Sequence, residues 1–298
     1  MKITQMQNKH QQHFEDLLLT GDFRGLDAIL NDFELSTKID GSPALVFGTN
    51  PTNGKFFVST KSAFNKVKIK LCHSHEEIDR HFSGKVADIL HSAFSYLPRT
   101  DSILQCDFLG WGNTDTVQPN AISYVFPQVI TQKIIVSVHT EWATEGEIKD
   151  AYVVGRAPFF ENTSDVYFVN NDAHLIGDCD DLAEVVGYIK QMSTMVDFAT
   201  PKEAQVIQKQ INDCIREGRE VDPDDFDNSL LISLWKVAES VKLDFLHFCR
   251  ATYAPASYLC GEEVNQEGFV LQNDEVLMKF VNRQVFSRTN FLMQKSWG

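Results

Sequence analysis

The sequence predicts an α+β fold: a mainly antiparallel sheet core interrupted by an all-helical segment and completed from the far C-terminus. Three observations predict it. Short β-type runs dominate as far as residue 169, three helical patterns crowd 180–255, and two further strands joined by the tight turn Asn273-Asp274 close the pattern at 268–281. The chain has 298 residues, 43% hydrophobic and 23% charged, enough to bury a sizeable core. That balance excludes a disordered or collagenous chain. No apolar run reaches the roughly 18 residues that a bilayer crossing needs.

Taken in order, His13, Phe14, Leu17 and Leu18 share a helical face, Gly21 interrupts, and Leu26, Ile29, Leu30 and Phe33 resume it, so two short helices are expected first. Strands are expected at 33–39, 44–47 and 56–59, with Asn53-Gly54 as the turn of a hairpin. Ile78, Phe82, Val86, Ile89, Leu90 and Phe94 predict one helix over 75–96, ended by Pro98. Strands return at 102–109, 121–126, 133–138 and 165–169. Thr200-Pro201 and the acidic turn Asp222-Pro223-Asp224-Asp225 separate the three helices that follow. The expected organisation is a sheet body over 1–175 and 261–298, with 176–260 as a helical insertion.

The net charge of −14 argues against a polyanion partner, but its distribution does not. Lys55, Lys61, Lys66, Lys68 and Lys70 occur with no acid among them, and 276–298 carries four basic residues and no acid. The acidity is concentrated in 176–265, with 17 acids against 8 bases. Cysteines at 72, 106, 179, 214, 249 and 260 form no CxxC pair and read as reduced structural thiols. The polar N-terminus lacks the apolar stretch of a secretory signal, so a cytoplasmic protein is expected.

Chemistry is expected first at Lys38. It ends a strand, with Asp40 two residues on and Gly41 turning the chain into the next strand. A rigidly held lysine at a cleft can act as a nucleophile if neighbouring cations or burial drive off its proton, and the lysine-rich stretch and Lys279 are the expected cations. His139 ends an apolar strand and reads either as a cleft residue or as a satisfied core histidine. The run GTNPTNGK (48–55) has a hairpin context and the wrong spacing for a P-loop. His73, His75 and His81 fit no standard metal spacing, and 222–227 reads as a capping turn rather than a calcium loop.

Lys38-Ile39-Asp40-Gly41, Ser59-Thr60-Lys61-Ser62, Gln105-Cys106-Asp107-Phe108-Leu109-Gly110, Glu267-Gly268-Phe269-Val270 and Leu277-Met278-Lys279-Phe280 occur in this order. In this the chain resembles the covalent nucleotidyltransferase superfamily of ATP-dependent polynucleotide ligases and capping enzymes. Thr37-Lys38-x-Asp40-Gly41-Ser42 is most similar to the bacteriophage RNA ligases. The resemblance covers roughly 35–140 and 261–283, and the helical segment has no counterpart in it.

The resemblance implies a nucleotidyltransferase (ligase adenylation) domain and an ATP-dependent ligase, most simply an RNA ligase, that joins 5′-phosphate and 3′-hydroxyl ends through lysyl-AMP. Lys38 would be the nucleophile, Asp40 would orient it or the incoming hydroxyl, and Lys279 would meet the α-phosphate. Thr37, Gly41 and Lys61 would line the nucleotide site. Asp107 and Glu267 would serve the ribose and a Mg²⁺ or Mn²⁺ ion, and Phe126, or Tyr124, would stack on adenine. The third motif carries Asp107 where the family has glutamate, and the fifth has Val281 in place of a second lysine, leaving Arg283 as the nearest substitute. Only 19 residues follow Lys279, too few for the oligonucleotide-binding barrel of DNA ligases. Expected partners are RNA or DNA strand ends and, through the acidic helices, a basic protein. The alternatives are DNA strand joining, a degenerate nucleotidyltransferase that binds without ligating, and transfer of AMP to another target. A phage-encoded enzyme would suit this minimal architecture.

Overall fold

Alternation along the strands decides how the core divides. The computed structural model describes residues 11–177 and 181–292, so the polar lead over 1–10, Cys179 and Lys295 lie outside the described residues. The architecture is mixed α+β with mostly antiparallel sheets.

The largest sheet runs β10 (Val166–Phe168), β8 (Ile134–Ala143), β5 (Ile103–Trp111), β3 (Ala44–Thr49) and β4 (Phe56–Thr60), with β9 (Tyr152–Arg156) also paired to β8. A second sheet orders β1 (Gln12–His13), β16 (Leu277–Val281), β15 (Gly268–Gln272) and β2 (Glu34–Lys38). A third joins β14 (Glu262–Val264), β13 (Ala256–Leu259), β7 (Ile122–Ile130) and β6 (Thr114–Val117), and β11 (Ala173–Leu175) pairs with β12 (Cys249–Ala251). The parallel pairs are β1 with β16 and β10 with β8.

In the second sheet, Leu35, Phe269, Leu271, Met278 and Phe280 point to one side. They join a buried cluster with Leu234, Ala238 and Phe245 of helix α6 (Ser229–Phe248) and Val186 and Ile189 of α4 (Leu182–Ser193). The alternate residues Ser36, Lys38, Val270, Leu277 and Lys279 face the other way, toward the first sheet. That sheet repeats the arrangement. Leu45, Phe47, Leu104, Cys106 and Val136 pack under α3 (Gly84–Tyr96), while Val46, Phe57 and Ile103 pack with Leu277 on the inner side. Each sheet is thus capped outside by helices, and a cleft opens between the inner faces.

Most expected strands appear, and the 44–60 run is the expected hairpin: β3 pairs with β4 around a loop in which Asn50 N–H donates to Lys55 O at 2.9 Å. The expected helix over 75–96 is two, α2 (His75–His81) and α3, because Phe82 and Ser83 are extended and Gly84 takes a φ of +58°. The first expected helix is a 3-10 turn, Glu15–Thr20, followed by the short α1 (Arg24–Ala28). His13 belongs to β1 instead, where pairing with β16 outweighs helical spacing. The segment 176–260 holds α4, α5 (Pro201–Glu217) and α6, and also β12 and β13, of which β13 pairs with β7. Thr200 and Glu203 form a capping box at the start of α5 with Pro201 in its first turn. The Asp222 side chain accepts from Asp224 N–H, a capping turn as expected. Cys72, Cys106, Cys214 and Cys249 are buried free thiols, and Cys260 is exposed.

A buried ionic knot ties the helices to the sheet ends. Lys242 of α6 donates to Glu15 at 2.7 Å, and Arg283, just past β16, reaches Glu15 at 3.3 Å and Asp16 at 3.0 Å. Trp235 Nε1 donates to Asp16 at 2.9 Å, and Arg283 also donates to Asn212 of α5 at 2.6 Å. Lys242 and Glu15 are completely buried. Removing one member strands a buried charge, so Lys242→Met should cost about 3–5 kcal/mol in urea unfolding. The Glu15→Gln/Lys242→Met pair should cost less than the sum of the two single variants.

Candidate functional site

Pairing of β2 with β15 sets Lys38 opposite Gly268 and thereby brings Glu267 to the end of β2. The Lys38 ammonium donates to Glu267 Oε2 at 2.6 Å across 229 residues of sequence, and to Asp40 Oδ1 at 3.3 Å. Both glycines of these motifs are required by close approach. A Cβ on Gly268 would lie 2.1 Å from Phe280 O, and one on Gly41 would lie 2.5 Å from Phe108 O.

The turn after Lys38 is clamped from β7. Asp40 N–H donates to the Tyr124 hydroxyl at 2.9 Å, and that hydroxyl donates to Asp40 O at 3.2 Å. The Asn120 amide donates to the Asp40 carboxylate and to its carbonyl. Gly41 N–H points to Asp107 Oδ2 at 3.4 Å, linking the turn to β5. In β8, Cys106 opposes Val138 and Gln105 opposes Thr140, which leaves His139 as the extra residue of a bulge. The bulge turns His139 Nε2 to within 3.7 Å of Asp107 Oδ1, while its Nδ1 pairs with the Thr140 hydroxyl at 2.7 Å.

The cleft beside these groups is lined from both sheets, by Ser36, Lys38 and Val270 on one side and by Asp107, His139 and Arg156 on the other. Arg156 is held by Asn171 at 2.6 Å and by Asp172, and its N–H donates to the Gln272 side chain at 2.6 Å. Lys61 sits exposed on the 3-10 turn Lys61–Phe64, near enough for its charge to act on Asp107.

Electrostatics at the site run opposite to the sequence expectation for Lys38. Burial opposes its charge, but Asp40, Glu267 and Asp107 outweigh burial and hold the ammonium above its ordinary pKa. The nearest groups are carboxylates, not the expected cations. Burial and Asp40 push the Glu267 carboxyl up to about 7 against the pull of Lys38 and Lys279. Lys279 is lowered to about 8 by burial, Lys38 and Arg283, with Glu267 and Asp16 opposing. Burial works against the Asp107 charge, yet His139, Lys38 and Lys61 hold that carboxyl below its usual range.

Two expected nucleotide contacts are placed elsewhere. Phe126 is 4% exposed, packed with Ile39, Leu109 and Ile135 and edge-on to Tyr167 at 5.4 Å, so its ring offers no face to the cleft. Tyr124 is fully buried and serves as the clamp on Asp40. Arg283 does not substitute for a second lysine in the cleft, because Glu15, Asp16 and Asn212 occupy its guanidinium. Thr37 lies at the cleft wall with its hydroxyl 3.5 Å from Asp172 O. Asn120, Arg156 and Gln272 went unread in the sequence: a lone Asn ahead of a strand, or an Arg at a strand end, carries no spacing signal.

Among the described residues no cluster of three or more His, Cys, Asp or Glu side chains is arranged to hold a metal by itself. The donors do fit a hard divalent ion that arrives with most of its oxygens on a substrate's phosphates. Glu267 is engaged by Lys38, whereas the oxygens of Asp107 have only contacts at 3.4 and 3.7 Å, so Asp107 is the carboxylate best placed to hold such an ion.

A raised Glu267 pKa gives stability that is present below about 4.5 and lost as pH rises through about 7. The stability of the native chain relative to Glu267→Gln should therefore fall across that window and level off above it, as read by urea unfolding at a series of pH values. Lys279 is shifted down, so its ordinary charge penalises the fold below about 8. Lys279→Met should gain stability relative to the native chain as pH falls from about 10.5 to 8.

No curated protein and no solved structure matches the chain. A family model matches residues 8–231 and 222–295, which takes in every site residue named above, and the chain belongs to that family, DUF6267, a family of unknown function.

Proposed function

We propose that the chain is an ATP-dependent polynucleotide ligase of RNA-ligase character that joins 5′-phosphate and 3′-hydroxyl ends through lysyl-AMP on Lys38. In this reading the sheets form a nucleotidyltransferase body and 176–260 is a helical insertion. One observation carries it: Asp40, Asp107, Glu267 and Lys279, from four separate motifs, gather around the single ammonium of Lys38.

Lys38 Nζ must be neutral to attack. Glu267 Oε2, at 2.6 Å, is the nearer of the two carboxylate acceptors, and a carboxyl near 7 is matched to taking a proton close to neutral pH. Nζ then bonds to the α-phosphorus of ATP, the bond from that phosphorus to the bridging oxygen breaks, and pyrophosphate leaves with the electron pair. One of the two protons then left on the nitrogen passes to solvent, and the lysyl-AMP phosphoramidate keeps the other. A 5′-phosphate oxygen next takes the AMP from Nζ, and a 3′-hydroxyl displaces AMP to form the phosphodiester. Lys279 offers a charge to the α-phosphate, and Asp40, held by Asn120 and Tyr124, keeps Lys38 in line. A divalent ion at Asp107 would offset charge on the phosphoryl oxygens. The exposed Lys61, Lys66 and Lys68, within one eight-residue run that carries no acid, suit a nucleic-acid backbone. The exposed acids Asp222, Asp224 and Asp227 of the turn before α6 suit a basic protein instead.

A nucleotide-binding protein that does not join ends is the second reading, favoured by the carboxylates that keep Lys38 charged. Strand joining separates the two. With ATP and Mg²⁺ or Mn²⁺, 5′-labelled RNA should become adenylylated and then circular, ahead of sealing of nicked DNA. Lys38→Arg should fall by about 10³-fold or more. Nucleotide binding without any joined product, on RNA or DNA, would favour the second reading.

A further inference from the structure

The inner face of the second sheet extends one strand beyond the motif residues. β1 adds in parallel to β16, with His13 opposite Lys279. Register across the four strands then places Ser36, Val270, Lys279 and His13 in one row on one face. Ser36 and Val270 line the cleft, as does Gln11, two residues before His13.

Two groups at the end of this row lack partners among the described residues. His13 Nδ1 is buried with no hydrogen bond from them, although buried polar atoms are nearly always paired. The Lys279 ammonium has no ion pair or side-chain hydrogen bond among the described residues and feels Glu267 and Asp16 only at a distance. Neighbouring cations are already matched: Lys242 and Arg283 by Glu15 and Asp16, and Lys38 by Glu267 and Asp40. The row therefore ends in one uncompensated charge and one empty ring nitrogen on adjacent strands, whose backbones lie about 4.8 Å apart. A cation and a ring nitrogen side by side on one face suit an anion that offers several oxygens, as linked phosphoryl groups do.

We propose that His13 and Lys279 form a seat for an oligophosphate group, with His13 as a substrate-positioning residue. Burial, together with Lys279 of β16, Arg283 beyond it, Lys242 of α6 and Lys38 of β2, holds the imidazole neutral, well below its ordinary pKa. An incoming anion cancels that field, and the ring takes one proton from solvent and donates to a phosphoryl oxygen. No bond of the anion breaks in this step. Assigning the seat to the triphosphate of ATP, with Lys279 toward the α-phosphate and His13 toward the departing pyrophosphate, rests on the ligase reading, whereas the anion seat itself does not.

Calorimetry of the full chain with inorganic pyrophosphate, run near pH 7 in two buffers of different ionisation enthalpy, tests the seat. Binding with uptake of about one proton is expected. In His13→Gln, binding should weaken on the order of tenfold and the proton uptake should vanish. Circular dichroism melting verifies that the variant folds. If it does not, the His13 ring resonances of the native protein, followed by NMR as pyrophosphate is added, should move to the protonated form. No pyrophosphate binding by the native chain, unchanged uptake in His13→Gln, or unmoved His13 resonances would overturn the seat. A parallel titration with ATP distinguishes the source of the phosphates. Pyrophosphate bound with His13 uptake but no AMP transfer to Lys38 would sink the ligase reading and leave the seat. AMP transfer with pyrophosphate binding indifferent to His13 would sink the seat alone.

Discussion

Antiparallel pairing of β2 with β15 is the constraint on which the site depends, because it places Glu267 2.6 Å from the Lys38 ammonium. Register there is fixed on both faces. Slipping β2 by one residue would turn Leu35 out of the helical core and Lys38 away from the cleft. Gly268 allows the approach, since any side chain there would collide with the Phe280 carbonyl. The helices act at one remove: α4 and α6 bury the outer face of the sheet, and Glu15, Asp16, Lys242 and Arg283 lock its ends to them.

Charge at the site is balanced unevenly. Lys38 is held charged by its carboxylates, while Lys279, on the same face, is buried with no carboxylate of the described residues at contact distance. Lys38 lines the cleft itself, and Lys279 stands on the same sheet face two strands away. In the proposed ligase reading, a lysine clamped in this way would attack only after the proton it donates to Glu267 had moved.

Much of this is written locally in the chain. Helix breaks at Thr200-Pro201 and Asp222-Pro223, the hairpin around Asn53-Gly54, and the alternation of β15 and β16 are short-range signals, and each element lies where its signal predicts. Lys38, Asp40, Asp107, Glu267 and Lys279 were legible because each sits at a strand or its end in a recognisable run. What failed was long-range. Phe126 alternates like any half-buried strand residue, and only the packing of its own sheet against Ile39, Leu109 and Ile135 makes it core. Arg283 reads as a free cation until Glu15 and Asp16, some 267 residues earlier, are brought against it. The two-residue β1 is too short to show a period, so His13 reads as helix. The sign of the Lys38 shift depended on which charges came nearest, and spacing along the chain does not encode that.

The proposed ligase stands or falls on transfer of AMP to Lys38. Intact-mass measurement and peptide mapping of the full chain, first shown free of bound AMP and then incubated with ATP and Mg²⁺ or Mn²⁺, reads that transfer directly. One AMP per chain is expected, acid-labile and carried on the Lys38 peptide, with none in Lys38→Ala. An unmodified chain, or AMP on any other residue, would contradict it.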